Sequence, residues 1–435
     1  MVIPRYRLAC LAMLASSLLC VASIANAEPA SPGEFLGVGS CASTVCHGSV
    51  VHRAGTTIAQ NEYLVWFERD AHRSAWKTLE SDRSARIAKN LGLGDARTAN
   101  LCLNCHATNA PEANRGEKFD IVDGVQCESC HGPAGGWIDS HDDPGVTHAD
   151  SVSRGLTALA APRERAGVCL SCHVGGDDGF ISHRIMAAGH PRTDFELDTF
   201  TFLQPAHFVD DADYAERKQA YDSARSWAAG QAAAVLRGLD VLARNAAASS
   251  WPEFALYDCF DCHHDIGSRA DGGSGTGDAL GYPGLDRSNW TLYLALLEAI
   301  DPSVAAELRR DLDGLDRLAR RGASLASAAR AMAVRVEGTN NKIDAWRPNE
   351  QALRTTLARL AASATTARIR TYSDAEQATM AVQALAAALA ARRTAGGDPS
   401  EAVPALDRLF ELTARESGFD RERFRRALAS VAAAR

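Results

Sequence analysis

Ten cysteines and five histidines recur in one short pattern along this chain. Four copies have two residues between the cysteines and a histidine directly after the second, whereas the first copy has four intervening residues. The cysteine pairs are Cys41 and Cys46, Cys102 and Cys105, Cys127 and Cys130, Cys169 and Cys172, and Cys259 and Cys262, followed by His47, His106, His131, His173 and His263. A thiol pair followed by an imidazole is the attachment signal for c-type haem, in which the thiols bond to the vinyl groups and the imidazole ligates iron. The pattern predicts five covalently bound haem c groups, four at regular motifs and one at the stretched motif.

The same residue types allow two other chemistries. Paired cysteines build tetrahedral zinc sites, and an even number of cysteines also fits a disulfide scaffold. A histidine after the second cysteine in all five copies favours haem over both. For the stretched copy, a local disulfide between Cys41 and Cys46 is the alternative.

Eight further histidines could supply the second axial ligand of each iron. Met186 is the one methionine between the first and last motifs, so the ligand supply predicts bis-histidine haems of low potential. The candidate distal ligands are His72, between Trp66 and Trp76, and His141, His190 and His207. Weaker candidates are His52, His148, His183 and His264. His264 follows a proximal histidine directly and could reach only a neighbouring haem, a propionate or solvent.

Residues 1–27 have the composition of a secretory signal. Arg5 and Arg7 precede an apolar run, and Ala25-Asn26-Ala27 is a small-residue cleavage site. We therefore predict cleavage after Ala27 and a periplasmic protein, with no later apolar run long enough to span a membrane. The net charge of −8 excludes nucleic acid as an expected partner and favours redox proteins with basic docking surfaces. The sequence does not specify an oligomeric state.

The distribution of residue types predicts two domains. No cysteine or histidine follows His264, and a Gly-rich stretch lies at 271–284. We predict a pentahaem domain over 28–270, a linker over 271–284 and a haem-free helical domain over 285–435. The fold class is mainly α: a multihaem cytochrome c domain with sparse regular structure, because haems replace much of its core, plus an all-α C-terminal domain.

Helical periodicity predicts particular elements. In the haem domain it indicates helices over about 61–80 and 213–247. In the C-terminal domain Asp301-Pro302 and a capping box at Ser373 and Glu376 predict helix starts. The many alanines there permit close helix packing, and the domain either braces the haem domain or forms a docking or oligomerisation surface.

Two segments resemble a known group, the tetrahaem cytochromes of ammonia oxidisers in the superfamily that includes hydroxylamine oxidoreductase. One is Glu62-Tyr-Leu-Val-Trp66-x3-Asp70-x-His72-x2-Ala75, which resembles their distal-ligand helix. The other runs from Asp123 to His141 and resembles their central motif. The resemblance implies closely packed haems and axial roles for His72 and His141. The stretched first motif, the fifth motif and the helical tail depart from it.

Three functions fit these features. A periplasmic electron carrier needs every iron closed by two ligands, which the histidine supply allows. An oxidoreductase of a small nitrogen or sulfur compound needs one open haem, and no Cys-x-x-Cys-Lys motif of the nitrite reductase type occurs. An assembly subunit would use mainly the helical tail. The ligand supply favours an electron carrier over an enzyme.

Overall fold

The computed structural model of the protein describes residues 33–51, 58–176, 179–209, 212–217, 220–263, 283–319, 321–365, 368–393 and 398–431. Within these ranges the chain is mainly α-helical and has no β-strand, only isolated bridges such as that between Tyr257 and Leu285. The predicted fold class is therefore confirmed, including the helical C-terminal domain. The predicted leader, most of the predicted linker, His52 and His264 lie outside the described residues.

The N-terminal part, residues 33–217, consists of short helices joined by turns and 3-10 segments. Its helices are α1 (Glu62–Arg69), α2 (Asp82–Leu91), α3 (Asn100–His106), α4 (Cys127–His131), α5 (His148–Ser153), α6 (Pro162–His173), α7 (His183–Ala187), α8 (Leu197–Leu203) and α9 (Ala212–Arg217). Its buried apolar side chains form small separate clusters rather than one core.

The single helix predicted over 61–80 is wrong. Helix α1 ends at Arg69, because Asp70 adopts an extended conformation and its carboxylate accepts a hydrogen bond from the backbone of His72. Two 3-10 segments, Ala71–Ser74 and Trp76–Glu80, follow. A side chain that bonds the nearby backbone competes with helix continuation, and here it sets the direction of the His72 ring.

The helical part, residues 223–247 and 283–431, contains longer helices around one continuous apolar core. Its helices are α10 (Ser223–Ala247), α11 (Ser288–Ile300), α12 (Pro302–Leu318), α13 (Gly322–Glu337), α14 (Asn340–Ala345), α15 (Glu350–Thr365), α16 (Tyr372–Arg393), α17 (Pro399–Ala402), α18 (Leu406–Leu412) and α19 (Arg421–Ser430). The helix predicted over 213–247 is thus two helices, and Asp222 caps the second by accepting from the backbone of Arg225.

Helix α10 joins the two parts. It packs on α6 and α8 of the N-terminal part and on α11, α13 and α16 of the helical part. Trp227 and Leu239 on this helix are buried in the continuous core. The core of the helical part therefore reaches across the chain position where the sequence places the domain boundary.

The capping box predicted at Ser373 and Glu376 is wrong by two residues. The carboxylate of Asp374 accepts from the backbone N–H of Thr371, and the Thr371 hydroxyl accepts from the backbone N–H of Asp374. Ser373 and Glu376 are instead bonded to the N-terminal part. Thr371 and Asp374 therefore form the reciprocal pair at this helix start, and the two predicted side chains contact the neighbouring segment.

Candidate metal sites formed by facing imidazoles

Helix geometry places each regular motif on one side of its element. In α4 the motif residues Cys127, Cys130 and His131 occupy positions i, i+3 and i+4, which share a helix face. Helices α3 and α6 likewise end on the motif histidine. In the fifth motif a 3-10 turn serves the same purpose, and the backbone N–H of His263 donates to the Cys259 carbonyl over 2.7 Å.

The stretched motif closes on itself in the same way. The backbone N–H of His47 donates to the Cys41 carbonyl over 3.2 Å, although two more residues separate them. The extra residues are taken up by a turn in which Cys46 N–H donates to Ser43. Gly48 is required next to this turn, because a Cβ there would overlap the carbonyl of Ala42.

Each of the five motif histidines faces a second imidazole from a distant part of the chain. The ring centroids are 6.2 Å apart for His47 and His141, 6.3 Å for His106 and His190, 6.3 Å for His131 and His207, 6.4 Å for His173 and His72, and 6.3 Å for His263 and His183. The ring planes are 24° and 34° apart in the first and last of these pairs and between 76° and 88° apart in the other three.

This spacing fits one metal ion between two imidazoles. With about 2.0 Å for a metal–imidazole bond and about 1.15 Å from the bound nitrogen to the ring centre, two rings on opposite sides of one metal lie about 6.3 Å apart. Among the described residues, no three His, Cys, Asp or Glu side chains converge as a group that could hold a metal. Two opposed donors suit an iron whose four other ligands come from a macrocycle.

All nine histidines predicted as ligands lie in these pairs, and the sequence could not assign the partners. The tenth, His183, was placed among the weaker candidates. It starts a five-residue helix, which is too short for a clear helical periodicity, and has no proline beside it; its one local signal is Phe180 and Met186, three positions before and after it. His148 lies exposed at the start of α5 and belongs to none of the pairs.

Hydrogen bonds at Nδ1 orient half of these ten rings. His47 is bonded to Glu62 over 3.0 Å, and His72 to Asp70 over 2.9 Å. The corresponding acceptors for His106, His141 and His190 are the backbone carbonyls of Ala75, Ile138 and Pro191. An Nδ1–H donated to a carbonyl or carboxylate leaves Nε2 as the lone-pair nitrogen, which is how metal-binding imidazoles are held.

Charge and burial at the His72 and His173 pair favour a bound cation. Burial opposes ionisation of Asp70, but hydrogen bonds from His72 and Gln204 hold the pKa of this carboxyl at about 2. Burial, followed by the neighbouring His72, lowers the pKa of His173 to about 4, so its ring is neutral and can act as a ligand. Phe195 and Phe200 flank the His173 ring at 5.1 and 5.2 Å.

The ten motif cysteines are free thiols. Thiols of different motifs meet: Cys41 is hydrogen-bonded to Cys127, and Cys105 to Cys172, which raises the pKa of Cys41 and of Cys105. Burial raises the pKa of Cys130 to about 12. The attachment points of the first and third motifs, and of the second and fourth, are therefore adjacent.

Apolar side chains left in contact with solvent cluster in the same region. Of the fourteen exposed large apolar side chains among the described residues, twelve precede residue 264. Phe254 is 52% exposed beside the His183 ring, and Phe208 is 40% exposed beside the His207 ring. A flat apolar macrocycle would cover such side chains, so they fit the same group as the imidazole spacing.

The thiol pairs, the opposed imidazoles and a match to one family model together support a c-type cytochrome, a class of protein with covalently bound haem c that acts in electron transfer. More particularly, the family model described as Cytochrome c554 and c-prime matches residues 41–132. That range contains three of the five motifs and His72. No curated protein and no solved structure matches the chain. In the part of the chain that the structure describes, no helix is long and apolar enough to cross a membrane.

Proposed function

We propose that the protein is a periplasmic multihaem cytochrome that carries electrons between redox partners through five haem c groups, each ligated by two histidines. The observation that supports this most strongly is the second imidazole opposite every motif histidine, at a spacing suited to one metal. We assign the axial pairs as His47 with His141, His106 with His190, His131 with His207, His173 with His72, and His263 with His183. A haem iron with both axial positions filled exchanges single electrons without binding a substrate.

The residues around the irons set ligand orientation and charge. The Asp70 and Glu62 carboxylates hold His72 and His47 with Nε2 free to bind, and they increase the electron donation of both rings. This stabilises the ferric state and favours low potentials. The net charge of −8 supports a partner with a basic docking surface.

The relationship to the tetrahaem cytochromes of ammonia oxidisers is part of this proposal. The family match covers the first of the two resembling segments, from Glu62 to Ala75, and the second from Asp123 as far as Gly132, which leaves His141 outside it. Export to the periplasm rests on residues 1–27, outside the described residues, and on the compartment in which haem c is attached. The alternative, an oxidoreductase of a small nitrogen or sulfur compound, requires an iron with one imidazole, and none of the five motif histidines stands alone.

Haem count and spin state test the proposal together. The mass of the mature chain should correspond to five haems, and electron paramagnetic resonance should give only low-spin signals. Because ring planes set the splitting of the iron d orbitals, we expect two signal classes in a ratio of two near-parallel sites to three near-perpendicular sites. A stoichiometric high-spin haem in the wild-type protein would instead support the enzyme.

The pairing of His183 offers the sharpest single test, because its sequence signal was weakest. H183A should convert one haem in five to a five-coordinate, high-spin form that binds carbon monoxide. H148A is the matched control and should leave all five haems low-spin. If H183A retains five low-spin haems, the assignment of the fifth pair is wrong.

A further inference from the structure

A cavity of about 930 Å³ lies where the fifth motif meets the helical part. Cys259, Cys262 and His263 line one side of it, together with Met186 of α7. Its volume is typical of cofactor sites, which range from about 300 to 1,000 Å³. His263 and the two thiols of the fifth motif therefore border a space of the size that a cofactor needs.

The opposite side of this cavity belongs to the helical part. The segment 370–373 and Gln377, around the start of α16, line it, as do residues between α18 and α19. Leu312 and Leu315 of α12 line it as well, and both are buried members of the continuous core. The cavity thus opens onto the core of the helical part and is closed by helices that have no motif of their own.

Arg370 ties the two sides together. Its guanidinium bonds Asp258 over 2.7 Å and Asp261 over 2.6 Å. Asp258 precedes Cys259 directly, and Asp261 precedes Cys262, so both carboxylates belong to the attachment turn itself. An arginine shared by two carboxylates fixes their geometry as well as their charge.

The start of α16 also forms hydrogen bonds with a second segment of the chain, residues 192–195. Glu376 bonds Arg192 over 2.7 Å, Ser373 donates to Asp194 over 3.1 Å, and the side-chain amide of Gln377 donates to the carbonyl of Phe195 over 3.1 Å. Phe195 contacts the His173 ring, and His173 also lines the cavity. The start of α16 therefore contacts both the cavity at the fifth motif and the segment that packs on His173 of the fourth motif.

We propose that the helical part forms half of the fifth haem pocket, with Arg370 as a positioning residue that holds the attachment turn from the opposite wall. This inference rests on the proposed function, since it requires a haem at Cys259 and Cys262. The potential of that haem then depends on the helical part. Residues after 283 accordingly belong to the redox machinery of the protein.

Redox titration of an Arg370 variant tests this dependence. R370Q removes the positive charge that two carboxylates share beside the haem, so ferric iron is favoured. We expect one haem in five to shift downward by up to tenfold in its equilibrium constant, about 59 mV for one electron. R335Q is the matched control, because Arg335 also bonds two carboxylates, Asp311 and Glu307, within the helical part and away from the cavity. It should leave all five potentials unchanged.

Hydrogen exchange on a C259A/C262A variant tests the same contact from the other side and does not depend on whether R370Q folds. Without the attached haem, protection of residues 370–377 should fall at least tenfold, whereas that of 322–337 in α13 should be unchanged. Unchanged exchange at 370–377, or equal haem potentials in R370Q and R335Q, would overturn the inference. The proposed function would still hold in that case if the wild-type mass corresponds to five haems. A wild-type mass lacking the haem at Cys259 and Cys262 would overturn both.

Discussion

The two parts of this protein solve the problem of a stable interior in opposite ways. The helical part buries Leu, Ala and aromatic side chains in one continuous core, and two large apolar side chains, Val334 and Phe410, are exposed among its described residues. The N-terminal part has only small apolar clusters, yet it contains nine of the ten facing imidazoles and most of the exposed apolar side chains. The interior of the helical part is filled by its own side chains, whereas the N-terminal part has apolar side chains that the haems of the proposed function would cover.

The largest effect that this comparison predicts follows from withholding haem. In a host that cannot attach haem, residues 33–209 should lose hydrogen-exchange protection completely, because their apolar surface has nothing to pack against. The cores of α11, α13 and α15 should stay protected. Equal protection of both parts in the haem-free chain would show that the contrast is false.

A substitution in the continuous core should destabilise the helical part and leave the N-terminal part unchanged. Leu353 is fully buried, and L353A should lower the free energy of unfolding of the helical part by about 2–5 kcal/mol, because a cavity is left behind. Visible and paramagnetic spectra of the four haems at the motifs before residue 174 should not change. V334A, at a side chain that is 67% exposed, is the control and should cost at most about 0.5 kcal/mol.

The pH dependence of the helical part should reveal its buried acids. Burial raises the pKa of Asp374 to about 7, and an unfolded aspartate titrates near 3.9. Between these values the folded state keeps a proton that the unfolded state has lost, so stability falls as pH rises from about 4 to 7 and then levels off. D374N should remove roughly 1–3 kcal/mol of that dependence, as thermal melts at pH 4 to 8 would measure. Parallel stability curves for both proteins would contradict the assignment.

A smaller effect should appear at the ligand orientation of the N-terminal part. In D70N the His72 ring loses a carboxylate acceptor, so the ferric state of the fourth haem is less stabilised. We expect its potential to rise by up to tenfold in equilibrium constant, about 59 mV. D95N is the control: Asp95 pairs with Arg97 on the surface and contacts no imidazole. A rise in both variants would indicate a general charge effect.

Sequence periodicity predicted the helical part better than the N-terminal part, because only the helical part has a continuous core of side chains. In the helical part, Leu308, Leu312 and Leu315 recur at helical spacing and are all buried, because a side-chain core follows periodicity. In the N-terminal part the helix predicted over 61–80 broke at Asp70, and the local pattern around His183 was weak. There the structure pairs imidazoles that are far apart in the chain, and local periodicity contains no information on such pairs.

The sequence by itself indicated haem c attachment, through the Cys-x-x-Cys-His spacing, with the motif histidines as candidate ligands, and it contains no cysteine or histidine after His264. The motifs depend on residues within one turn of each other, so local sequence contains them. Only the tertiary structure decided which imidazole faces which, that His183 faces His263, and that Arg370 reaches the fifth motif from more than a hundred positions away. Such pairings depend on how separate elements pack. The packing of the helical part against the last motif depends on residues from several distant segments, so no single segment predicts it.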